Sequence, residues 1–543
     1  MKIAKRVLAL FFALILLFTL AACGSDESKK TDDPGKKTGT VSDDKQDGKE
    51  AVKDYSEKMV ISFASIQVND TVDYNYGDEL AKWWAETYNI EWDITSLTWD
   101  IWAERLRIWI NSGDLTDMAT WNYLHGEAVT YADQGLVRKL PDDWKSRWPN
   151  LAKSYSDAPI NEAVEEELGG TYFLCKPIFS VNRPAQKLSP HISVYFRKDW
   201  AEAVGFEIKD SYTTNELLEL ARLMKKNDPG NVGSNFYPLV VSSGFASFLV
   251  QFNSTYSLSN VFYKGDDGSY QWGPASNDTL EGLKVYKAFY DEGLLHPEFY
   301  TIQDPDDRAA LYVTGTSGMF IGEGMAAWMT RIEQNMRDNL GLEYDDAIHA
   351  AVVTGNDGKY HCPPVLNYWT STIFSPDIED AKLERILDMF DYSCTEEGQL
   401  LVRLGFEDVD WKRDESGEIV SLLDIPATEK YKTIHPVYGN MFVLSDDFQF
   451  INPGFKKEYR DKVKSMYVLR EKLGDDKTMP DVDWTAYFHS STALNLASLN
   501  YAEEYAQLVV KDGNLEENWK AWVNEKMPII RPVIDELNAK AGN

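Results

Sequence analysis

The chain has 543 residues, 43% of them apolar, and its 55 basic against 87 acidic residues give a formal net charge of −32 at pH 7. That length and apolar share give room for two or more domains with a large core, and they exclude a disordered chain. So acidic a chain also excludes nucleic acid, and anionic lipid held by charge, as partners.

The first 22 residues read as a secretory signal: Lys2, Lys5 and Arg6 precede an apolar run from Val7 to Leu20. The run is shorter than the roughly 20 residues a spanning helix needs, and small residues follow it. Leu20-Ala21-Ala22-Cys23 fits a lipoprotein box. It predicts cleavage before Cys23, lipid on its thiol, and a protein tethered outside the cytoplasmic membrane. Residues 23–54 follow as a Lys/Asp/Ser/Gly/Thr stretch with almost no apolar side chains. Such a segment cannot form a core and reads as a flexible stalk. Cys175, Cys362 and Cys394 are the only other cysteines. With no CxxC and an odd number, a disulfide framework is not indicated, and one bridge or buried free thiols both stay open. Aromatics are abundant, with 17 Trp, 29 Tyr and 24 Phe making 13% of the chain. Most serve cores, but in a secreted protein the excess tilts toward stacking on sugar rings.

Beyond the stalk, Met59 to Phe63 is a strand, and Leu80, Trp84 and Tyr88 mark a helix by their i, i+4, i+8 spacing. Ile90 to Thr95 alternates as a strand. Thr98 is placed to cap a helix carrying Trp102, Leu106, Trp109 and Ile110, closed by Ser112-Gly113. Asp117 to Trp121 is extended again. The order implies a parallel βαβαβ unit with right-handed crossovers. A second unit opens with the strand Ile192–Phe196. Thr213 and Glu216 then form a capping box for a helix with Leu217, Leu220, Ala221 and Met224 inward. Tyr237–Val241, Ser317–Ile321 and Ile348–Val353 read as further strands, and Asn277 as the cap of a helix ending at Gly293. Past residue 375 the pattern is mostly helical, at 381–392, 455–473, 499–511 and 516–526. There is no short internal repeat.

No nucleophile elbow, P-loop, zinc motif or dinucleotide fingerprint occurs. Gly322-Glu323-Gly324 after a strand reads as a tight turn where Glu323 accepts sugar hydroxyls, or where it simply favours a helix N-terminus. A glycoside hydrolase would suit the compartment and the aromatics. Its chemistry needs two carboxylates about 5–9.5 Å apart, and no acid–base pair stands out from the sequence.

Several fragments, in order, resemble the family 1 extracellular solute-binding proteins of ABC importers, in particular the large lipoproteins of Gram-positive bacteria. They are Trp109-Ile110-Asn111-Ser112-Gly113-Asp114-Leu115, Gly135-Leu136-Val137-Arg138-Lys139-Leu140, Phe196-Arg197-Lys198-Asp199-Trp200 and Tyr290-Asp291-Glu292-Gly293-Leu294 running on to Pro297-Glu298-Phe299. The resemblance implies an α/β, two-lobed periplasmic-binding-protein-like fold with discontinuous lobes, a multi-strand hinge and a helical C-terminal region. It places residues 55–185 with about 300–365 in one lobe, and 186–299 with about 366–543 in the other. It implies a monomer working with the transmembrane subunits of an ABC permease, no enzymatic activity, no cofactor, and a ligand that is usually an oligosaccharide. A peptide or another non-sugar solute stays open as an alternative. Two departures stand out. Gly405-Phe406-Glu407-Asp408-Val409-Asp410-Trp411 is more acidic than the family's usual run, so contacts there need not carry over. The loop Asp228–Asn235, where some relatives hold calcium, has Gly230 and Val232 at positions that would need oxygen ligands, which speaks against a metal.

In open α/β sheets ligands lie at the carboxyl ends of strands, so the candidate ligand contacts follow those ends. They are Ser65 and Gln67 after the first strand, and Trp121, Asn122 and Tyr123 after the third. Phe245 and Phe248 lie in the loop after 237–241, Glu323 and Trp328 follow the strand ending at Ile321, and Tyr368 and Trp369 stand at a hinge crossing. Together they offer stacking faces with few charges, which suits a neutral sugar.

Overall fold

The computed structural model describes residues 53–66, 68–69, 71–98, 101–121, 126–179, 183–257, 260–302, 307–434, 437, 439 and 447–542. The signal and Cys23, most of the stalk, and the candidates Gln67, Asn122 and Tyr123 lie outside these residues.

The strands in chain order are β1 (Met59–Ile66), β2 (Ile90–Leu97), β3 (Met118–Trp121), β4 (Leu174–Pro177), β5 (Ile192–Arg197), β6 (Ser211–Thr213), β7 (Leu239–Val240), β8 (Phe262–Lys264), β9 (Tyr270–Trp272), β10 (Met319–Glu323), β11 (Ile348–Thr354), β12 (Tyr368–Phe374), β13 (Trp411–Arg413) and β14 (Ile419–Ser421). They form two five-stranded sheets, ordered β2-β1-β3-β12-β4 and β6-β11-β5-β10-β7, and two small hairpins, β8-β9 and β13-β14. As expected, β1 pairs in parallel with both β2 and β3. Its side chains alternate between two apolar clusters, Ile61 and Phe63 on one face and Ala64 and Ile66 on the other. This two-sided burial is what a parallel sheet clad by helices requires.

Each sheet anchors a lobe of a two-lobed α/β fold. The return segments, however, are exchanged relative to the expected allocation. β10 and β11 flank β5 antiparallel, so the stretch expected with residues 55–185 completes the second lobe. β12 inserts antiparallel between β3 and β4 and completes the first. The cause is packing: Phe320, Ile321 and Ala350 to Val353 share one core with Val194 to Phe196, while Ile373 and Phe374 close the cores around β1. Downstream, the helix Asp380–Ser393 lies in the first lobe, and the chain from Lys457 onward lies in the second, except that Trp484, Tyr487 and Phe488 reach the first-lobe core.

The helix Thr214–Asn227 carries the expected capping box and buries Leu217, Leu220, Ala221 and Met224. Two expected caps are displaced. Ser276, not Asn277, caps the helix Asn277–Asp291 by accepting from the Thr279 N–H, and the helix Trp102–Ser112 starts after Ile101 without a side-chain cap. The last helix runs from Leu515 to Ala541, through Pro528 and Pro532, instead of stopping at 526. Each proline removes a backbone donor, but Ile530 between them and Val533, Ile534 and Leu537 beyond them are buried and hold the helix to the core. Among the described residues Cys175, Cys362 and Cys394 form no disulfide with one another.

Candidate functional site

The strand registers decide which chain ends meet. Tyr368 pairs with Pro177, so β12 begins where β4 ends. Glu323 pairs with Ile192, so β10, and β7 parallel to it, end where β5 begins. These ends therefore turn toward the crossings between lobes, whose described residues are 178–179, 183–191 and 355–367. Asn367 knots the crossings together: its amide nitrogen donates to the carbonyls of Asp157 and Phe179, both at 2.6 Å, and its amide oxygen accepts from the Phe179 N–H at 2.9 Å. The Val365 N–H adds a bond to the Leu188 carbonyl, 2.6 Å.

At the hinge-facing end of β7 the chain turns at Ser242 into a one-turn helix, Ser243–Ala246, and opens a groove of about 680 Å³. Phe245 and Tyr300 supply aromatic faces to it, with Ser242, Asn500, Glu503 and Gln507 among the polar groups of its lining. Tyr300 is 50% exposed. The Phe245 ring rests on Phe248, centroids 5.8 Å apart, which fixes its position from behind. The opposite wall is the helix Tyr501–Val510, capped by the Asn500 side chain. Its inner face is fastened by Tyr505, whose hydroxyl shares a 2.6 Å hydrogen bond with that of Tyr256. Two aromatic rings among hydroxyls, amides and one carboxylate, with no Lys, Arg or His among the described residues of the lining, suit a ligand with apolar faces and neutral hydrogen-bonding edges.

A second aromatic group spans the lobes. Residues 483–490 are anchored in the second lobe, where Asp483 accepts from the Tyr270 hydroxyl (2.8 Å) and meets Lys264 (3.2 Å), and His489 meets Glu536 (2.9 Å). Trp484, Tyr487 and Phe488 lie against the first-lobe core. There the Tyr487 and Tyr368 hydroxyls are 2.5 Å apart, and Trp484 stacks on Phe488 at 5.7 Å and 15°. The strap passes so close to Gly126 that a β-carbon there would lie 2.7 Å from the His489 carbonyl oxygen. Sequence reasoning missed these residues; the available signal was three aromatics at i, i+3, i+4 in a chain already rich in them.

The structure scatters the remaining candidates. Ser65 is buried and donates to the Ile66 carbonyl at 3.3 Å. Trp121 is 1% exposed, its ring held between Tyr131 (5.6 Å) and Phe173 (5.5 Å), so it packs the core and offers no stacking face here. Glu323 is the last residue of β10 and not part of a turn, and its carbonyl accepts from the Tyr195 hydroxyl at 2.7 Å. Trp328 lies half-buried on the helix Ala326–Leu340 with Arg331 above its ring at 5.4 Å. Trp369 carries the Lys176 ammonium 5.3 Å from its ring centre, and burial lowers the Lys176 pKa to about 7. Phe245 and Phe248 meet at the groove, and Tyr368 stands at the strap.

The two sequence departures also have structural answers. In the 228–235 loop, the Asp228 carboxylate is occupied by the Val232 and Gly233 N–H groups at 2.9 and 2.8 Å. Asp410 is buried and spent internally, on Lys430 (2.5 Å), the Tyr431 hydroxyl (2.6 Å) and the Phe406 N–H (2.8 Å).

The fold has many solved counterparts. The alginate-binding protein AlgQ2, in its form without calcium ion, superposes with a TM-score of 0.65 at 15% identity, covering 89% of this chain and 98% of that one. The Streptococcus pneumoniae ABC-transporter substrate-binding protein FusA (an EF-hand mutant in complex with fructo-nystose) gives 0.64 at 16%, with coverages of 89% and 98%. The S. pneumoniae N-glycan transport protein NgtS, in complex with Man5GlcNAc, gives 0.55 at 14%, with 89% and 97%. At such identities the likeness establishes the fold alone. No curated protein matches the chain in sequence. Residues 67–381, more than half of the chain, match the family of bacterial extracellular solute-binding proteins, and the chain belongs to that family.

Proposed function

We propose that the protein is the receptor of an ABC importer, held outside the cytoplasmic membrane by lipid on Cys23, and that it binds a saccharide and passes it to the permease's transmembrane subunits. The observation that carries this reading is the groove at the end of β7, whose lining sets Phe245 and Tyr300 beside hydroxyl and amide groups and the single described carboxylate, Glu503. Pyranose and furanose rings present C–H faces to aromatic rings and hydroxyl edges to amides, which is the chemistry this lining offers. Solved proteins of the same fold include complexes with fructo-nystose and with Man5GlcNAc, which supports an oligosaccharide as the ligand class. The reading makes the protein a monomeric binding protein, not an enzyme: among the described residues the groove lining holds one carboxylate, Glu503, whereas glycoside hydrolysis needs two.

The test is a thermal-shift screen of the chain from residue 55 onward against neutral oligosaccharides. The bound sugar should raise the melting temperature by mass action and be recovered intact; a cleaved sugar would replace receptor by hydrolase. Phe245→Ala should then weaken binding about tenfold or more, as loss of an aromatic anchor does, with the fold retained. Unchanged affinity would move the site elsewhere.

A further inference from the structure

Resting on the saccharide reading, we infer that Glu503 is a specificity-determining residue, which selects uncharged saccharides and rejects those bearing carboxylates. Glu503 lies in the first turn of the helix Tyr501–Val510, on the wall of the groove. A helix N-terminus presents unpaired N–H groups and a positive dipole end, which by itself favours an anion. Here that preference is already met. The Asn500 side chain takes the Glu503 N–H at 3.4 Å, and the exposed Glu503 carboxylate supplies the negative charge, so an acidic ligand meets like charge where it would otherwise meet donors.

The neighbouring cations are engaged elsewhere. Lys526 pairs with Glu504 at 3.2 Å, the residue beside Glu503, and Glu504 also accepts from the Trp522 indole at 2.6 Å. Lys287, at the far end of the same helix, bonds Asp291 at 2.9 Å and the Val509 carbonyl at 3.0 Å. Among the described residues Glu503 takes part in no ion pair, and the groove lining contains no basic side chain to compensate an acidic ligand. An uncharged sugar faces no such penalty, and its hydroxyls can donate to the carboxylate, a charge-assisted bond stronger than a neutral one.

The experiment is a glycan array read in pairs, each neutral oligosaccharide beside the same oligosaccharide carrying a uronic or sialic acid, with wild type, Glu503→Gln and Glu503→Lys. Wild type should favour the neutral member of its bound pairs by about three- to tenfold, the range for one like charge at a solvated site, and added salt should narrow the gap. Glu503→Gln should bring the ratio toward one, and Glu503→Lys should carry it past one toward the acidic member. Glu503 is exposed, so both variants should melt with wild type. A wild type that prefers acidic members, or a ratio that neither substitution moves, overturns the assignment while leaving a saccharide receptor standing. An array on which nothing binds overturns the saccharide reading and the assignment together, and is told apart by its blankness.

Discussion

Trp121 and Lys176 show how a side chain's surroundings decide its role. The Trp121 indole is enclosed by Tyr131 and Phe173. Trp121→Ala should therefore open a cavity and cost about 3–5 kcal/mol of stability, read as a lowered denaturation midpoint, and not act as a pure binding mutation. Lys176 is 3% exposed beside Trp369, and its pKa falls to about 7 from an ordinary 10.5. Between those values the unfolded chain holds the proton that the folded chain has released, so this residue's contribution to stability rises with pH across that window. Below it both states are protonated and the burial penalty is fully present. Lys176→Met should accordingly stabilise the protein most at about pH 6 and progressively less toward about pH 10, checked by paired melting curves. A pH-independent difference would mean the ammonium is solvated. Neither burial was legible in the sequence. A Trp after a strand looks the same whether it faces a ligand or a core, and Lys176 sits in a short strand whose partner lies almost two hundred positions away.

Among elements, one side-chain amide serves both crossings between the lobes. Asn367 serves the Asp157 carbonyl and both polar groups of the Phe179 backbone while only 2% exposed. Asn367→Leu keeps the size but strips both Phe179 backbone groups of their side-chain partner, while the Asp157 carbonyl keeps the Arg183 guanidinium at 2.7 Å, and should cost about 2–4 kcal/mol in chemical denaturation. An unchanged midpoint would show that the crossings are held by other contacts. Local rules foresaw the elements whose causes are local. The Thr213–Glu216 capping box and the inward stripe of its helix appear as expected, and so does the parallel β1–β2 pairing. They failed where a distant surface overrides propensity. The last helix continues through Pro528 and Pro532 because Ile530 between them and Val533 beyond them are buried, and Glu323 stays in a strand because Ile192 pairs with it.

For the whole molecule, the groove lies in the second lobe and the strap 483–490 reaches from that lobe onto the first. A ligand favours one arrangement of the lobes only if it binds that arrangement better. Saturating sugar should slow amide exchange at the crossings 178–179, 183–191 and 355–367 and at the strap, and at about 100 Kd it should stabilise the fold by about 2.7 kcal/mol. Protection confined to the groove would mean that binding leaves the lobes uncoupled. By itself the sequence determined the class of fold, the secretory start with its lipoprotein box as an expectation, the βαβαβ opening and the family, because periodicity, caps and short motifs are written in neighbouring residues. It also singled out Phe245, through a Ser-Gly-Phe-Ala-Ser loop at a strand end. Only the tertiary structure decided which lobe each return strand joins, that Trp121 is core, and that Tyr487 meets Tyr368 across the lobes with Trp484 and Phe488 packed against the first-lobe core. Those outcomes are set by strand pairing and packing between residues far apart in the chain, which local sequence does not encode.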